Sequence, residues 1–129
     1  MRRLFLALPP AAILAALAVA APVRADPGYD QCVDAATSNA DFSACGAAML
    51  DRREAELNQV WKQAVADLDA PTKAALLDEQ RAWIAFKDKS CGFWSTGAFG
   101  REGQVIHFYV CRELVLEQRI NFLNSLGEP

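Results

Sequence analysis

Apolar residues recur with helical spacing along a first stretch of the chain, residues 41–68. They occupy the i, i+3, i+4 and i+7 positions that form one buried face of a helix. This face comprises Leu57, Val60, Trp61, Ala64, Val65 and Leu68. Asp41 is the predicted N-cap, because its carboxylate can accept hydrogen bonds from the unpaired amides of the first turn. One or two further helical turns are predicted before it, over residues 29–36.

A second helical stretch follows closely, over residues 71–91. Its inward stripe comprises Leu76, Leu77, Gln80, Trp83, Ile84, Lys87 and Cys91. The break between the two helices reads Asp69-Ala70-Pro71, and Pro71 suits a first helical turn, where its missing N–H leaves no bond unmade. Because the connection is short, the two helices are predicted to pack antiparallel as a long hairpin.

A third helix is predicted over residues 104–126, with Gly127 as its C-terminal stop. Residues 92–103 separate it from the second helix and contain four glycines, which is typical of a loop. No stretch of the mature chain is predicted to be a strand. The pattern therefore predicts an all-α fold class, a small bundle in which the third helix packs across a long antiparallel hairpin.

The N-terminal residues have the pattern of an export signal. A basic start, Met1-Arg2-Arg3, precedes an uncharged run over residues 4–23, and a cleavage pattern ends at Ala25-Asp26. The run is long enough for an uncleaved membrane anchor, but two prolines interrupt it, so a cleaved signal peptide over residues 1–25 is favoured. We expect a single mature domain, residues 26–129, that is periplasmic or secreted, with no lipid-anchoring cysteine at the cut and no membrane segment.

Charge narrows the range of partners. The chain has 129 residues, a length that suits one domain, and 53% of them are hydrophobic. Its formal net charge is −3, and without the three arginines of residues 1–25 the mature chain carries −6. No basic excess is available to neutralise phosphates, which argues against a nucleic-acid partner. An acidic surface attracts cationic partners, and it also keeps an exported protein soluble.

Four cysteines lie in the mature part, namely Cys32, Cys45, Cys91 and Cys111. An even number in a small exported chain indicates two disulfides, and the spacings match no zinc or haem motif. Three pairings are possible, of which we favour 32–45 and 91–111 because each would join neighbouring helices. Each such bond would stabilise the fold by about 3 kcal/mol in the chain-entropy model. The predicted bundle is thus disulfide-stabilised.

Polar residues on the apolar faces are candidates either for a site or for a structural network. They are Asn58, Gln80, Asp88 and Arg119. We favour a buried network that fixes the helix register, with Asp88 pairing Arg119, because no nucleophile accompanies them. His107 is the single histidine and has neither a free thiol nor a metal-ligand spacing beside it. The sequence therefore predicts that the protein is not an enzyme and has no catalytic residue, metal or cofactor.

The segment between Cys91 and Cys111 is unusually aromatic for a loop. Its aromatic rings either cover the core or protrude as anchors for a partner. A disulfide that clamps both ends would reduce the entropy lost on binding. The candidate partner-binding residues are Phe93, Trp94, Phe99, Arg101, Glu102 and His107.

One segment of the second helix resembles the signature of the LprI-type lysozyme-inhibitor family. It reads Gln80-Arg81-Ala82-Trp83-Ile84-Ala85-Phe86-Lys87-Asp88-Lys89-Ser90-Cys91. In that family a Gln-x-x-Trp-Ile-x-aromatic-basic-Asp-x-x-Cys stretch follows a Leu-Asn-x-x-aromatic element, which here is Leu57-Asn58-Gln59-Val60-Trp61. Cys111, followed eight residues later by Arg119, fits the C-terminal part, so the resemblance spans residues 41–126. Leu116 stands where the family often has threonine.

The resemblance implies a small helical envelope protein that inhibits lysozyme. Lysozymes of the animal type are basic and have an acidic cleft, so an acidic protein would be steered toward them. The expected mechanism is occlusion, in which residues 92–107 plug the substrate groove and Arg101 meets the catalytic carboxylates. The alternative is a non-catalytic interaction or structural module of the envelope that binds another exported protein or a wall component.

Overall fold

The computed structural model describes residues 26–126, and every regular element within that range is helical. The elements are α1 (Pro27–Ala35), α2 (Asn39–Ala64), α3 (Ala70–Ser90), a 3-10 helix (Gly92–Thr96), α4 (Gly100–Glu102), a π-helical turn (Gly103–His107) and α5 (Phe108–Ser125). The predicted all-α fold class is confirmed. None of the helices in this range is both long and apolar enough to cross a membrane. The predicted signal peptide and the predicted helix stop Gly127 lie outside the described residues.

The first long helix begins with a capping box rather than at the predicted N-cap. Ser38 is the N-cap, and its hydroxyl accepts a hydrogen bond from the backbone amide of Asp41 at 3.2 Å. The Asp41 carboxylate accepts in return from the backbone amide of Ser38 at 2.9 Å. The prediction that Asp41 itself caps α2 is wrong by three residues, because the reciprocal pair satisfies two unpaired amides where a single cap satisfies one.

The connection between α2 and α3 is tight. α2 ends at Ala64, four residues earlier than its apolar pattern predicts, where the Ala66 amide bonds to the Gln63 carbonyl at 3.2 Å. Such an i to i−3 bond tightens a helix end and lets the chain leave the helix axis. Asp69 then caps α3 by accepting a hydrogen bond from the backbone amide of Thr72 at 2.8 Å. The chain reverses direction between these two caps.

The core lies between α2 and α5, which run in the same direction. Near the start of the two helices, Gly46 of α2 packs against the ring of Tyr109 of α5. Further along both helices lies a single cluster of buried side chains. It consists of Leu57, Val60, Leu116, Ile120 and Leu123. Trp83 of α3 packs against this cluster. Burial of these apolar side chains provides the main stabilisation of the bundle.

α3 runs antiparallel to both α2 and α5. Near its C-terminal end, Lys87 donates to Glu54 of α2 at 3.0 Å, and its backbone carbonyl accepts from Arg112 at 2.7 Å. Two turns earlier, Gln80 accepts from Arg119 of α5 at 2.8 Å. The predicted hairpin of α2 and α3 is therefore present, and α5 packs on it, mainly along α2.

Both favoured cysteine pairs are joined. Cys32 and Cys45 connect α1 to α2, with their Cα atoms 5.6 Å apart. Cys91 and Cys111 connect the end of α3 to α5, with a Cα separation of 5.9 Å. Both separations lie within the usual range for disulfides. The second bond closes the segment of residues 92–110, which leaves the bundle at the end of α3 and returns at the start of α5.

Candidate functional site: a disulfide-closed aromatic loop

The segment that the sequence predicts as a loop has more regular structure than its four glycines suggest. We call residues 92–107 the aromatic loop. It contains the 3-10 helix, α4 and the π-helical turn, so the third helical stretch starts at Gly100 in place of residue 104. Gly97 and Gly100 have φ angles of 88° and 66°, a conformation that side chains with a Cβ rarely adopt. These two glycines let the chain reverse between its short helices.

Trp94 is the centre of a cluster of four rings. Its ring centroid lies 5.0 Å from Phe93, 4.5 Å from Phe99 and 4.9 Å from His107. Trp94 is half-buried, whereas Phe93 and Phe99 are 49% and 50% exposed. Trp94 is therefore the most covered of these three side chains, and the two phenylalanines project from the surface.

Glycine at position 103 is needed beneath this cluster. A Cβ added to Gly103 would lie 2.7 Å from the Cβ of Phe99 and 3.0 Å from the Trp94 carbonyl oxygen. Gly103 is itself buried. The backbone of the π-helical turn therefore packs closely against Phe99 and Trp94.

Polar contacts tie the rest of the aromatic loop together. Arg101 donates to the side-chain oxygen of Gln104 at 2.7 Å, and the Gln104 amide nitrogen donates to the Ser95 carbonyl at 3.3 Å. His107 Nε2 lies 3.6 Å from a carboxylate oxygen of Glu102. Arg101 and Glu102 are both exposed. The six residues predicted to bind a partner thus lie together in one small, internally bonded segment.

The predicted polar network divides into two separate parts. Arg119 is buried, donates to Gln80 and to Glu79 at 2.8 Å each, and its guanidinium lies between the rings of Trp83 and Phe122, 5.4 and 5.0 Å from their centroids. A guanidinium in this arrangement is stabilised by charge, by hydrogen bonds and by the ring faces. The Gln80–Arg119 contact therefore links α3 to α5.

The predicted pairing of Asp88 with Arg119 is wrong. Asp88 is 61% exposed, and its carboxylate lies 3.5 Å from Arg112 instead. Because α3 and α5 run antiparallel, moving eight residues along α3 from Gln80 moves the contact back along α5 by about two turns. Asn58, the fourth predicted member, is exposed on α2 and lines a cleft facing α3.

Sequence reasoning missed a second buried ion pair, between Arg53 and Glu113. Arg53 Nε donates to the Glu113 carboxylate at 2.8 Å, and it joins α2 to α5 above the apolar cluster. Burial raises the pKa of Glu113, and the bonded guanidinium offsets part of that shift. The sequence did contain a signal for this pair. Arg53 precedes Leu57 by about the same number of residues as Glu113 precedes Leu116, so the two charges lie side by side if α2 and α5 pack in parallel.

No cluster of three or more metal-ligating side chains occurs among residues 26–126. The family model described as lysozyme inhibitor LprI matches residues 32–123. The chain belongs to this family. The match covers more than two thirds of the 129 residues and includes both disulfides and the whole aromatic loop of this LprI-family member. No curated protein and no solved structure matches the chain.

Proposed function

We propose that this LprI-family protein inhibits lysozyme by inserting the aromatic loop into the substrate cleft of the enzyme. The family description supports lysozyme as the partner. The observation that carries the mechanism is the pair of half-exposed rings, Phe93 and Phe99, held edge to face with centroids 5.8 Å apart. Exposed aromatic side chains on a rigid support are the typical anchors of a tight interface.

Rigidity favours binding by this loop. The Cys91–Cys111 disulfide, the ring contacts of Trp94 and the Gln104 hydrogen bond all restrict the loop before it meets a partner. A surface that is already ordered loses little conformational entropy on association. Most of the free energy gained by burying the two phenylalanines is therefore retained as binding free energy.

Charge supports the same partner. Lysozymes cleave glycosidic bonds with two carboxyl groups that flank the scissile bond, so their cleft has an acidic floor. Arg101 is exposed, follows Phe99 by two residues and is held by Gln104, and in this proposal its guanidinium approaches those carboxyl groups. The net charge of −6 without residues 1–25 would steer the protein toward a basic enzyme.

The proposal places the protein outside the cytoplasm, in the periplasm or secreted. Two disulfides are typical of proteins in oxidising compartments. The export pattern over residues 1–25 points to the same location. In this compartment the protein would have access to lysozyme. Inhibition requires no catalytic group, metal or cofactor of its own.

The test is a turbidity assay of cell-wall lysis by a basic animal-type lysozyme, with the oxidised mature protein added. We expect inhibition that falls at least ~10-fold in the Phe93→Ala/Phe99→Ala double variant, since losing two anchors costs more than 1.4 kcal/mol. Phe86→Ala, which removes a 58% exposed phenylalanine outside the loop, is the matched control and should inhibit like the parent. If micromolar mature protein leaves lysis unchanged, the protein is an envelope interaction module for another partner.

A further inference from the structure

Arg112 lies at the base of the aromatic loop, where α3 ends and α5 begins. Its Nη1 donates to the backbone carbonyl of Lys87 at 2.7 Å, and its Nη2 lies 3.5 Å from the Asp88 carboxylate. Its guanidinium carbon lies 5.9 Å from the ring centroid of Phe108, the residue that directly follows the loop. One side chain of α5 therefore contacts both the helix that leads into the loop and the residue that leads out of it.

The contact between Arg112 and the Lys87 carbonyl is of a strong kind. This carbonyl lies in the last turn of α3, where backbone carbonyls carry the partial negative charge of the helix end. A hydrogen bond with a charged donor is about twice as strong as one between neutral groups. The Arg112 side chain is only 14% exposed, so water competes little for this bond.

The second disulfide by itself leaves the direction of the loop adjustable. Cys91 and Cys111 join α3 to α5 at one point, and rotation about the side-chain bonds of a disulfide lets the two backbones turn relative to each other. Lys87 precedes Cys91 by about one helical turn, so the Arg112 bond is a second attachment one turn away. Two attachments hold the end of α3, and with it the 3-10 helix that begins at Gly92, in one orientation on α5.

The Arg112 contacts are better suited to holding a position than to adding stability. Its Nε is buried and has no hydrogen-bond partner among residues 26–126, and a buried N–H without a partner costs free energy. The Lys87 carbonyl also accepts from the Ser90 hydroxyl, at 3.0 Å, so it keeps a bond if Arg112 is replaced. An unbranched apolar side chain at position 112 should therefore change the Tm little.

We propose that Arg112 is a positioning residue for the aromatic loop. Its guanidinium does not meet the enzyme, and it holds the loop in the orientation that presents Phe93 and Phe99. This inference rests on the proposed inhibition of lysozyme, to which Arg112 contributes by preorganisation. The orientation of the loop is also measurable without lysozyme.

The first test is amide hydrogen exchange, followed by NMR, in the oxidised mature protein and its Arg112→Met variant. The probes are three loop amides that donate to backbone carbonyls, those of Trp94, Gly100 and Gly103. We expect them to exchange at least ~10-fold faster in the variant, because the loop opens locally once its base is released. The amides of Leu57 and Val60 in the core should exchange as in the parent. A merely structural role would instead speed exchange in the core by a similar factor.

The second test is inhibition of wall lysis by the same variants. Arg112→Met should inhibit at least ~10-fold less well than the parent. Arg81→Met is the matched control, since it removes the same charge from a 68% exposed arginine that pairs with Asp78 on α3, and it should inhibit like the parent. Arg112→Lys keeps the charge and one donor for the Lys87 carbonyl but loses the planar guanidinium, so its inhibition should lie between those of the parent and Arg112→Met.

The proposal is overturned if the three loop amides exchange as in the parent, or if the core amides accelerate equally. Inhibition by Arg112→Met that matches inhibition by Arg81→Met would also overturn it. If Arg112→Met does not fold, the same comparisons made with Arg112→Lys decide. A parent protein that does not inhibit lysozyme would remove the proposed function, whereas the exchange data would still show whether Arg112 holds the loop.

Discussion

Gly46 shows how one missing side chain sets the distance between two helices. A Cβ at this position would lie 2.2–2.7 Å from atoms of the Tyr109 side chain, closer than nonbonded atoms approach. A helix interior ordinarily favours alanine over glycine by about 1 kcal/mol. At this position the close packing of α2 on α5 outweighs that preference, since a Cβ would require the Tyr109 side chain or the helix to shift.

We therefore predict that Gly46→Ala destabilises the protein by about 1–3 kcal/mol, the usual cost of overpacking. Thermal unfolding followed by circular dichroism should show a Tm lowered by at least ~5 °C. Gly92→Ala is the matched control, because a Cβ at Gly92 meets nothing within 4 Å. A Tm for Gly46→Ala at or above that of the parent would contradict the close packing of α2 and α5.

Asp41 is the residue for which a pH dependence follows from hydrogen bonding. The Thr37 backbone amide, 3.0 Å from its carboxylate, lowers the Asp41 pKa below its ordinary value of 3.8, and Ser38 and the Thr37 hydroxyl add to this effect. In the unfolded chain the carboxyl binds its proton more readily. The stability that ionised Asp41 contributes is therefore complete above pH 3.8 and is lost as pH falls through the folded-state pKa.

The Asp41→Asn variant should show the pH range over which this contribution to stability is lost. The Tm difference between parent and variant is expected to be constant from neutral pH down to the ordinary aspartate pKa and to shrink in more acidic solution. Thermal unfolding across this pH range measures it. Asp51→Asn, at an exposed position on the same helix, controls for the loss of one surface charge. A difference that grows on acidification would show that the carboxylate bonds do not form.

At the scale of elements, the two disulfides should stabilise the fold equally but differ in which segment they restrain. They close loops with sequence separations of 13 and 20, so each should stabilise the fold by about 3 kcal/mol in the chain-entropy model. Cys32–Cys45 fastens α1 to α2, far from the aromatic loop in sequence. Cys91–Cys111 closes the aromatic loop itself.

We predict that the Cys91→Ala/Cys111→Ala variant loses both stability and at least ~10-fold in lysozyme inhibition, because its loop is no longer preorganised. The Cys32→Ala/Cys45→Ala variant should lose a similar free energy of unfolding but retain inhibition at temperatures where it is folded. Denaturant unfolding and the lysis assay measure the two effects. Equal loss of inhibition in both variants would remove the specific role of the second disulfide.

The elements differ in how far the sequence predicts them. Helical periodicity, with Pro71 and the short Asp69 connection, places α2 and α3 within a few residues, because apolar spacing along one helix is a local property. The aromatic loop was less predictable. Its short helices depend on positive φ at Gly97 and Gly100 and on the contact of Gly103 with Phe99. These are irregular local contacts that follow no apolar periodicity.

The candidate site was likewise predictable in its residues but not in their contacts. The sequence identifies the aromatic residues of the loop, but not that Trp94 supports the cluster while Phe93 and Phe99 project from it. It identifies Gln80 and Arg119 as network residues, but the pairing with Asp88 required a register between α3 and α5 that local patterns do not contain. The cleft between α2 and α3 depends on that same register.

For the molecule as a whole, charge determines how quickly a partner is reached. Without residues 1–25 the chain carries −6, and a basic lysozyme would be attracted over a distance set by the ionic strength. We predict that the association rate falls at least ~10-fold between low and high salt, while the dissociation rate changes little. Surface plasmon resonance measures both rates. An association rate independent of salt would contradict electrostatic steering.

The most direct measurement is steady-state kinetics of lysozyme on a soluble oligosaccharide, with increasing amounts of the oxidised mature protein. If the aromatic loop fills the substrate cleft, the apparent KM rises with inhibitor concentration and kcat stays constant. The Phe93→Ala/Phe99→Ala variant should require about ten times more protein for the same rise. A fall in kcat at unchanged KM would place the protein elsewhere on the enzyme and contradict occlusion of the cleft.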